Sequence, residues 1–335
     1  MYAKTSLGRL LMIIRSYVAY AKALCLLTGL CLNVAALAID YPNRPLRYVV
    51  GFAPGGINDI LARTVVQKLN DALGQSVIID NRPGAGGNLA ANLVAKSAPD
   101  GYTFMNISTA HAISQTLYAK LDYHLERDLS PVVVLGNSAL IMVVPTGMTV
   151  KSVSELVDWA KKNRLIYASG GIGVISHLSM EMFKVATKIE ATHVPYKGVG
   201  PSIPDLISGQ AQVMINAIPD LLPYTKGGKL RVIGSMTEHR LTVLPDTPTL
   251  IEQGYKDFVM GNWTGIVVPT GTPKSIVNHL SSTVSQIIQS ADVSKKLLDQ
   301  GVDPLGGTPE AFGKLIHSEV ARFGKAVRDS GAKAE

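Results

Sequence analysis

Cysteine is nearly absent from this 335-residue sequence: Cys25 and Cys31 are the two, and both fall within the first 38 residues. Beyond them there is no thiol for a disulfide, a thiolate metal site or a cysteine nucleophile. Aromatics reach only 6% and charged residues 17%, against a hydrophobic fraction of 47%. Such a chain has apolar surface to bury, and its composition argues against wholesale disorder. No His pair at i,i+4 encloses a Glu, and there is no Gly-x-Ser-x-Gly elbow and no Gly-Lys-Ser/Thr. The helical zinc-protease, nucleophile-elbow and Walker patterns are thereby excluded, and no metal or cofactor is expected. No Lys/Arg-rich run with interleaved aromatics follows residue 38, so nucleic acid is not an expected partner.

The N-terminus reads as an export signal. Residues 1–38 contain Lys4, Arg9, Arg15 and Lys22 and no acidic residue. An uncharged run from Ala23 to Ala38 ends in Ala36-Leu37-Ala38, the small-x-small pattern of a cleavage site. That run is shorter than the ~20 residues a membrane helix needs. Met12 is an alternative start, and Leu30 is a poor residue to precede a lipidated Cys31. The whole chain has a net charge of +7, but without residues 1–38 it keeps 28 Lys and Arg against 25 Asp and Glu. The basic character therefore belongs largely to the signal, and the expected location is the periplasm, with cleavage near Ala38. An exported chain without disulfides has to rest on a large core, which its length allows.

From Arg47 onward the pattern alternates short apolar runs with helical periodicity. Arg47–Phe52, Ser76–Asp80 and Tyr102–Ile107 read as strands, with helices from Ile60 to Leu73 and over Asn88–Lys96 between them. This β-α-β-α-β order signals a parallel sheet with helices on its faces. A second series follows, with strands at Val132–Leu135, Leu140–Val144, Leu165–Ala168, Thr192–Val194, Gln212–Asn216 and Leu230–Gly234. Helices over Val153–Asn163, Val174–Thr187 and Pro204–Ser208 fall among them. Trp263–Val268 is the last expected strand, followed by helices over Lys274–Ser290, Val293–Gln300 and Pro309–Arg328. Two α/β lobes result, each a mostly parallel sheet flanked by helices. Lobe 1 comprises residues 39–141 and 266–335, and lobe 2 residues 142–265. The chain crosses twice between them, and two crossing strands make a hinge above a cleft.

Gly171-x-Gly173-x-x-Ser176 resembles a dinucleotide fingerprint, but its third glycine is missing and no acid stands at a strand end ~20 residues on. His177 adjoins Ser176, yet neighbours on a helix diverge by ~100°, so packing at the helix start is the better reading for it. A different device recurs. Phe52-Ala53-Pro54-Gly55-Gly56-Ile57-Asn58-Asp59 and Ala168–Ser176 each carry a strand through glycines into a helix. Free N–H groups and the positive dipole end at such a turn attract an anion, although ordinary strand-to-helix turns look the same.

The residues also resemble a known family. Tyr41-Pro42-x-Arg44-Pro45, Phe52-x-Pro54-Gly55-Gly56-x-x-Asp59 and Asp80-Asn81-Arg82-Pro83-Gly84-Ala85-Gly86-Gly87-Asn88 are similar to Bug-type solute receptors of tripartite tricarboxylate transporters. The likeness continues through Ala98-Pro99-Asp100-Gly101-Tyr102-Thr103, Ser176-His177-Leu178, His193–Gly198, Gly227-x-Lys229-Leu230-Arg231 and Leu244-Pro245-Asp246-x-Pro248-Thr249. The resemblance implies a type II-like, two-lobed periplasmic binding protein that is not an enzyme and closes on a small carboxylate. It also implies a membrane permease as the partner that receives the cargo. A sensor docking on a membrane signalling protein is the alternative, and an α/β enzyme of the cleft is disfavoured. One chain suffices for capture, so a monomer is expected.

The resemblance places the ligand against Phe52, Ala53, Gly55, Gly56, Ile57, Asn58 and Asp59 of the first loop. It adds Ser108 and Thr109, then Ser169, Gly171, Gly173, Val174 and Ser176, and finally Asn216 and Ala217. The Asn81–Gly87 turn reads as structural. Where the family often has small or hydroxyl residues this chain has Ile57 and Val174, and where many members carry Asp it has Asn216. Both departures point to an aromatic or aliphatic acid rather than an amino acid.

Overall fold

The computed structural model describes residues 41–256 and 258–334, so the expected signal peptide lies outside the described residues. Lobe 1 opens with β1 (Leu46–Val50), α1 (Ile57–Leu73), β2 (Val77–Asn81), a 3₁₀ turn at Ala85–Gly87, α2 (Asn88–Ala95) and β3 (Thr103–Ser108). Then come α3 (Thr109–Leu117), the short α4 (Leu125–Asp128) and the long β4 (Leu129–Pro145). The second lobe holds α5 (Val153–Ala160), β5 (Leu165–Ser169), α6 (Ile175–Thr187), β6 (Ala191–Pro195), α7 (Ile203–Ser208), β7 (Met214–Ala217), α8 (Ile218–Lys226) and β8 (Leu230–Ser235). The chain returns through β9 (Gly261–Pro269), α9 (Lys274–Gln289), α10 (Ala291–Leu298), β10 (Val302–Gly306) and α11 (Pro309–Ser330). No helix among the described residues is long and apolar enough to cross a membrane.

The larger sheet runs β10-β4-β9-β3-β1-β2. β1 pairs in parallel with both β2 and β3, as the alternating pattern predicts. β9 lies antiparallel between β3 and β4, and β10 is antiparallel to β4 at the edge. The sheet is therefore mixed rather than mostly parallel: β9, returning from the second lobe, and β10, following α9 and α10, both enter it in the opposite sense to β4.

The two strands expected at Val132–Leu135 and Leu140–Val144 are one strand, β4. Its first half pairs with β9 up to Ala139↔Gly261, and its second half pairs antiparallel with β7 and β8. Gly136-Asn137-Ser138 looks like a break in the sequence, but the small residue is demanded by packing. A Cβ on Gly136 would stand 2.7 Å from the Asp303 carbonyl of β10. In the second lobe β5 and β6 are parallel, and a bridge from Tyr167 to Val213 ties them to β7.

Apolar periodicity decides what each helix buries. Leu61, Val65 and Leu69 of α1 and Leu280, Val284 and Ile288 of α9 are fully or almost fully buried in lobe 1. The second core gathers Ile141 and Val143 of β4 with Leu206, Met214, Ile218, Leu221 and Leu230. α11 starts at the Thr308 cap, whose hydroxyl accepts from the Ala311 N–H, and stops at the left-handed Gly331. It packs on α3 and β4 and also reaches α6 of the second lobe. The C-terminal helices thus do more than cover lobe 1.

Candidate ligand-binding site

A pocket lies where the β1–α1 loop faces the start of α6 and the end of β7. Its wall is made by Phe52, Ala53, Gly56, Ile57 and Asn58, by Ser108 and Ala110, and by Gly170, Val174, Ile175 and Ser176. Gly198, Val199, Asn216, Asp220 and Asn262 complete it. The wall contains no Lys, Arg or His, and Asp220 is its one ionisable side chain.

α1 and α6 both point their N-termini at this space. The N-caps are Gly56 and Val174, both extended, and neither supplies a capping side chain; at α1 the Asp220 carboxyl accepts from the Ile57 N–H. A helix start without a capping side chain leaves N–H groups for a guest and carries a partial positive charge. Two such ends face the pocket in the arrangement by which helix N-termini meet an anion without a formal cation.

Asn58 is held from both sides: its carbonyl accepts from Asn106 Nδ2 at 2.7 Å, and its Oδ1 accepts from Thr264 Oγ1 at 3.4 Å. Asp59 lies behind the wall. Its carboxylate accepts from the Gly55 N–H at 3.1 Å, Arg63 Nε at 2.8 Å and Asn81 Nδ2 at 3.1 Å. Burial pushes this carboxyl up, but the hydrogen bonds from Arg63, Gly55 and Asn81 outweigh it and hold the group below the usual carboxylate range. Asp59 is thus engaged in folding the loop, and Gly55 supplies the positive φ of 89° that the loop needs.

The second glycine loop is built the same way. Ser176 Oγ accepts from the Gly170 N–H at 3.1 Å, and Ser169 Oγ accepts from the Gly171 N–H at 3.2 Å. His177 Nδ1 accepts from the Gly173 N–H at 3.3 Å, so the imidazole shapes the turn, as packing at a helix start predicts. Burial lowers its pKa, and that of His193 stacked upon it falls to about 4. Ser169 Oγ meets His193 Nε2 at 2.6 Å, but Ser169 is fully buried and off the cavity wall.

Of the residues expected at the ligand, Phe52, Ala53, Gly56, Ile57, Asn58, Ser108, Val174, Ser176 and Asn216 line the cavity. Gly55, Asp59, Thr109, Ser169, Gly171, Gly173 and Ala217 do not, and they shape its wall from behind. Thr109 Oγ1, for example, donates to the Oδ1 of wall residue Asn262 at 2.5 Å. The Asn81–Gly87 turn, read as structural, also meets the second lobe: a Cβ on Gly86 would stand 2.8 Å from the Ile172 carbonyl.

Sequence reasoning missed Ala110, Gly170, Ile175, Gly198, Val199, Asn262 and above all Asp220. Asn216 and Asp220 are four residues apart, and Asn216 Nδ2 donates to Asp220 Oδ2. The loss of an acid at position 216 therefore does not leave the cavity without one, which removes that half of the case against an amino-acid ligand. Ile57 and Val174 do stand in the wall, so the case from apolar groups keeps its footing.

Comparison with known proteins agrees with this architecture. Residues 61–332 match the family described as "Tripartite tricarboxylate transporter family receptor". Protein BugT of Bordetella pertussis is 33% identical over 98% of this chain and 99% of its own. Among solved structures, Rpa4515 of R. palustris, solved with adipate, superposes with a TM-score of 0.85 at 34% identity, covering 88% of this chain and 99% of that one. MatC (Rpa3494) of Rhodopseudomonas palustris, solved with malate, gives 0.82 at 32% identity, covering 86% of this chain and 100% of that one.

Proposed function

Since this chain belongs to the tripartite tricarboxylate transporter receptor family, we propose that it is a periplasmic receptor that captures a small aliphatic or aromatic carboxylate and hands it to a membrane permease. The observation that carries the reading is a pocket faced by two helix N-termini whose N-cap residues supply no capping side chain, with no Lys or Arg among the described residues of its wall. Amides already aimed at the anion supply the affinity, which lowers the ordering cost of binding. Adipate and malate in the two related structures support a carboxylate of this size. Ile57 and Val174 favour the less polar acids.

In this reading the lobes are residues 39–141 with 266–335, and 142–265, and they hinge on β4 and β9. Export depends on the N-terminal 38 residues, and the receptor works as a monomer. The test is a thermal-shift panel of mono-, di- and tricarboxylates, aromatic acids and amino acids. An acid at 100 times its dissociation constant should stabilise the protein by ~2.7 kcal/mol. If no acid raises the melting temperature, even after the protein has been unfolded and refolded to strip bound solute, carboxylate capture is wrong. If aspartate or glutamate gives the largest shift, the preference for less polar acids is wrong.

A further inference from the structure

Asp220 is a carboxyl group inside a cavity that is otherwise arranged for a carboxylate. Its side chain is 93% shielded, with 7% relative exposure. Oδ2 accepts from Asn216 Nδ2, and the Ile57 N–H also donates to the carboxyl. Oδ1 is buried without a partner. It lies at the wall, 3.9 Å from where a Cβ on Gly56 would stand. A buried polar atom without a partner costs free energy until something fills the space beside it.

Among the described residues no cation is paired with it. β4 and β7, which pack on α8, contain no ionisable residue. Arg231 of β8 directs its guanidinium to the carbonyls of Thr146, Met148 and Val150. On α1, Arg63 is paired with Asp59, and on α6, His177 is occupied by Gly173. Lys226, on α8 itself, is exposed at the far end of the helix. An ionised Asp220 would therefore repel an incoming carboxylate through an enclosed, poorly screened space.

We propose that Asp220 takes part in capture as a protonated acid, donating its Oδ1 hydrogen to a carboxylate oxygen of the solute so that the two groups share one proton. The inference rests on the carboxylate reading above. The proton comes from solvent, and binding above the titration of Asp220 takes up one proton per solute. The same contact removes the repulsion and gives the unpartnered oxygen its partner. Burial pushes Asp220 up to about 7, against the donors from Asn216 and Ile57, so the proton is available near neutral pH. Asp220 thereby makes the receptor selective for solutes that present an acceptor, and not an ammonium, at this point.

The experiment is calorimetric titration with adipate at about pH 6, 7 and 8.5, where adipate is ionised, in pairs of buffers that differ in ionisation enthalpy. The expected result is uptake approaching one proton per adipate at the highest pH, with affinity falling about tenfold per pH unit there. Asp220→Asn should abolish the proton uptake and the slope, whereas His193→Gln should keep both. Uptake lost with His193→Gln and retained with Asp220→Asn overturns the proposal, as does pH-independent binding by the unaltered protein. Infrared difference spectra of the solute-free protein at about pH 6 provide a readout that needs no solute: a protonated-carboxyl band absent from Asp220→Asn. If adipate fails to bind while the band is present, the carboxylate reading is at fault and the protonation stands. If the band is absent, the proposal falls.

Discussion

The imidazoles of His177 and His193 stack with their ring centroids 4.3 Å apart and their planes within 9° of parallel. Tyr167 stacks on the other side of His193 at 4.6 Å. This column lies behind the second glycine loop and meets it at Gly173 and Ser169, off the pocket wall.

Burial, then the neighbouring His177, holds His193 at about 4, below the ordinary value of 6.5. The unfolded chain then binds the proton more tightly than the native one. This contribution to stability is complete above pH 6.5 and is lost as the pH falls toward 4. Replacing His193 by Gln should flatten that part of the curve by about 2 kcal/mol, after allowance for screening at a half-buried ring. Urea unfolding at a series of pH values measures it, and an unchanged acid limb would refute the assignment.

Asp220 acts with the opposite sign. Its native value of about 7 lies above the ordinary 3.8, so its contribution is complete below 3.8 and is lost as the pH rises through 7. The difference corresponds to as much as about 4 kcal/mol. The solute-free protein should therefore lose stability as the pH rises from the ordinary 3.8 to about 7, relative to Asp220→Asn, whose own curve lacks that fall. Parallel curves for the two proteins would show that the carboxyl is ionised throughout.

Gly86 has a left-handed φ of 63°, and a Cβ there would press on the Ile172 carbonyl. Gly86→Ala should prop the Asn81–Gly87 turn and the second glycine loop apart, although Gly86 is not in the pocket wall. The expected effect is a rise in the adipate dissociation constant of about tenfold or more, because the substitution disfavours the closed state while leaving the cavity wall unchanged. An affinity equal to that of the unaltered protein would mean that this approach plays no part in closing.

Gly265 of β9 is small because Phe312 of α11 lies on it. A Cβ would overlap the ring and come within 2.7 Å of the Val133 carbonyl. Gly265→Ala should cost about 1–3 kcal/mol by overpacking, and Phe312→Leu in the same chain should return part of it. Additive losses in the double variant would place the strain at the Val133 backbone instead.

Where hydrophobic spacing alone decides an element, the sequence is a reliable guide. α1, with Leu61, Val65 and Leu69 on one face, and α9 and α11 fall where their periodicity puts them. Elements that tertiary packing imposes on unpromising residues are harder to read. β10 contains Pro304 and ends at Gly306, which looks like a turn but is tolerated on an edge strand. α8 carries Pro219 and Pro223, and the first of these stands at the helix start, where no N–H is needed. Without that helix, nothing in the sequence brings Asp220 near Asn216, and the one ionisable group of the cavity stays out of view. The first and second glycine loops are legible as strand-to-helix turns. Which of their residues face inward and which fold the loop depends on side-chain hydrogen bonds that spacing does not encode.

β4 belongs to two sheets at once, and this fixes the order in which the chain can assemble. Its first half waits for β9 at 261–269 and β10 at 302–306, while its second half waits for β7 and β8. Neither lobe can complete its sheet until a partner far along the chain has been made, and such distant pairings are slow to close. The larger sheet gains its edge strand only when residues 302–306 exist, and a sheet that waits this long for its last strand suits a polypeptide that is threaded through a membrane before it folds.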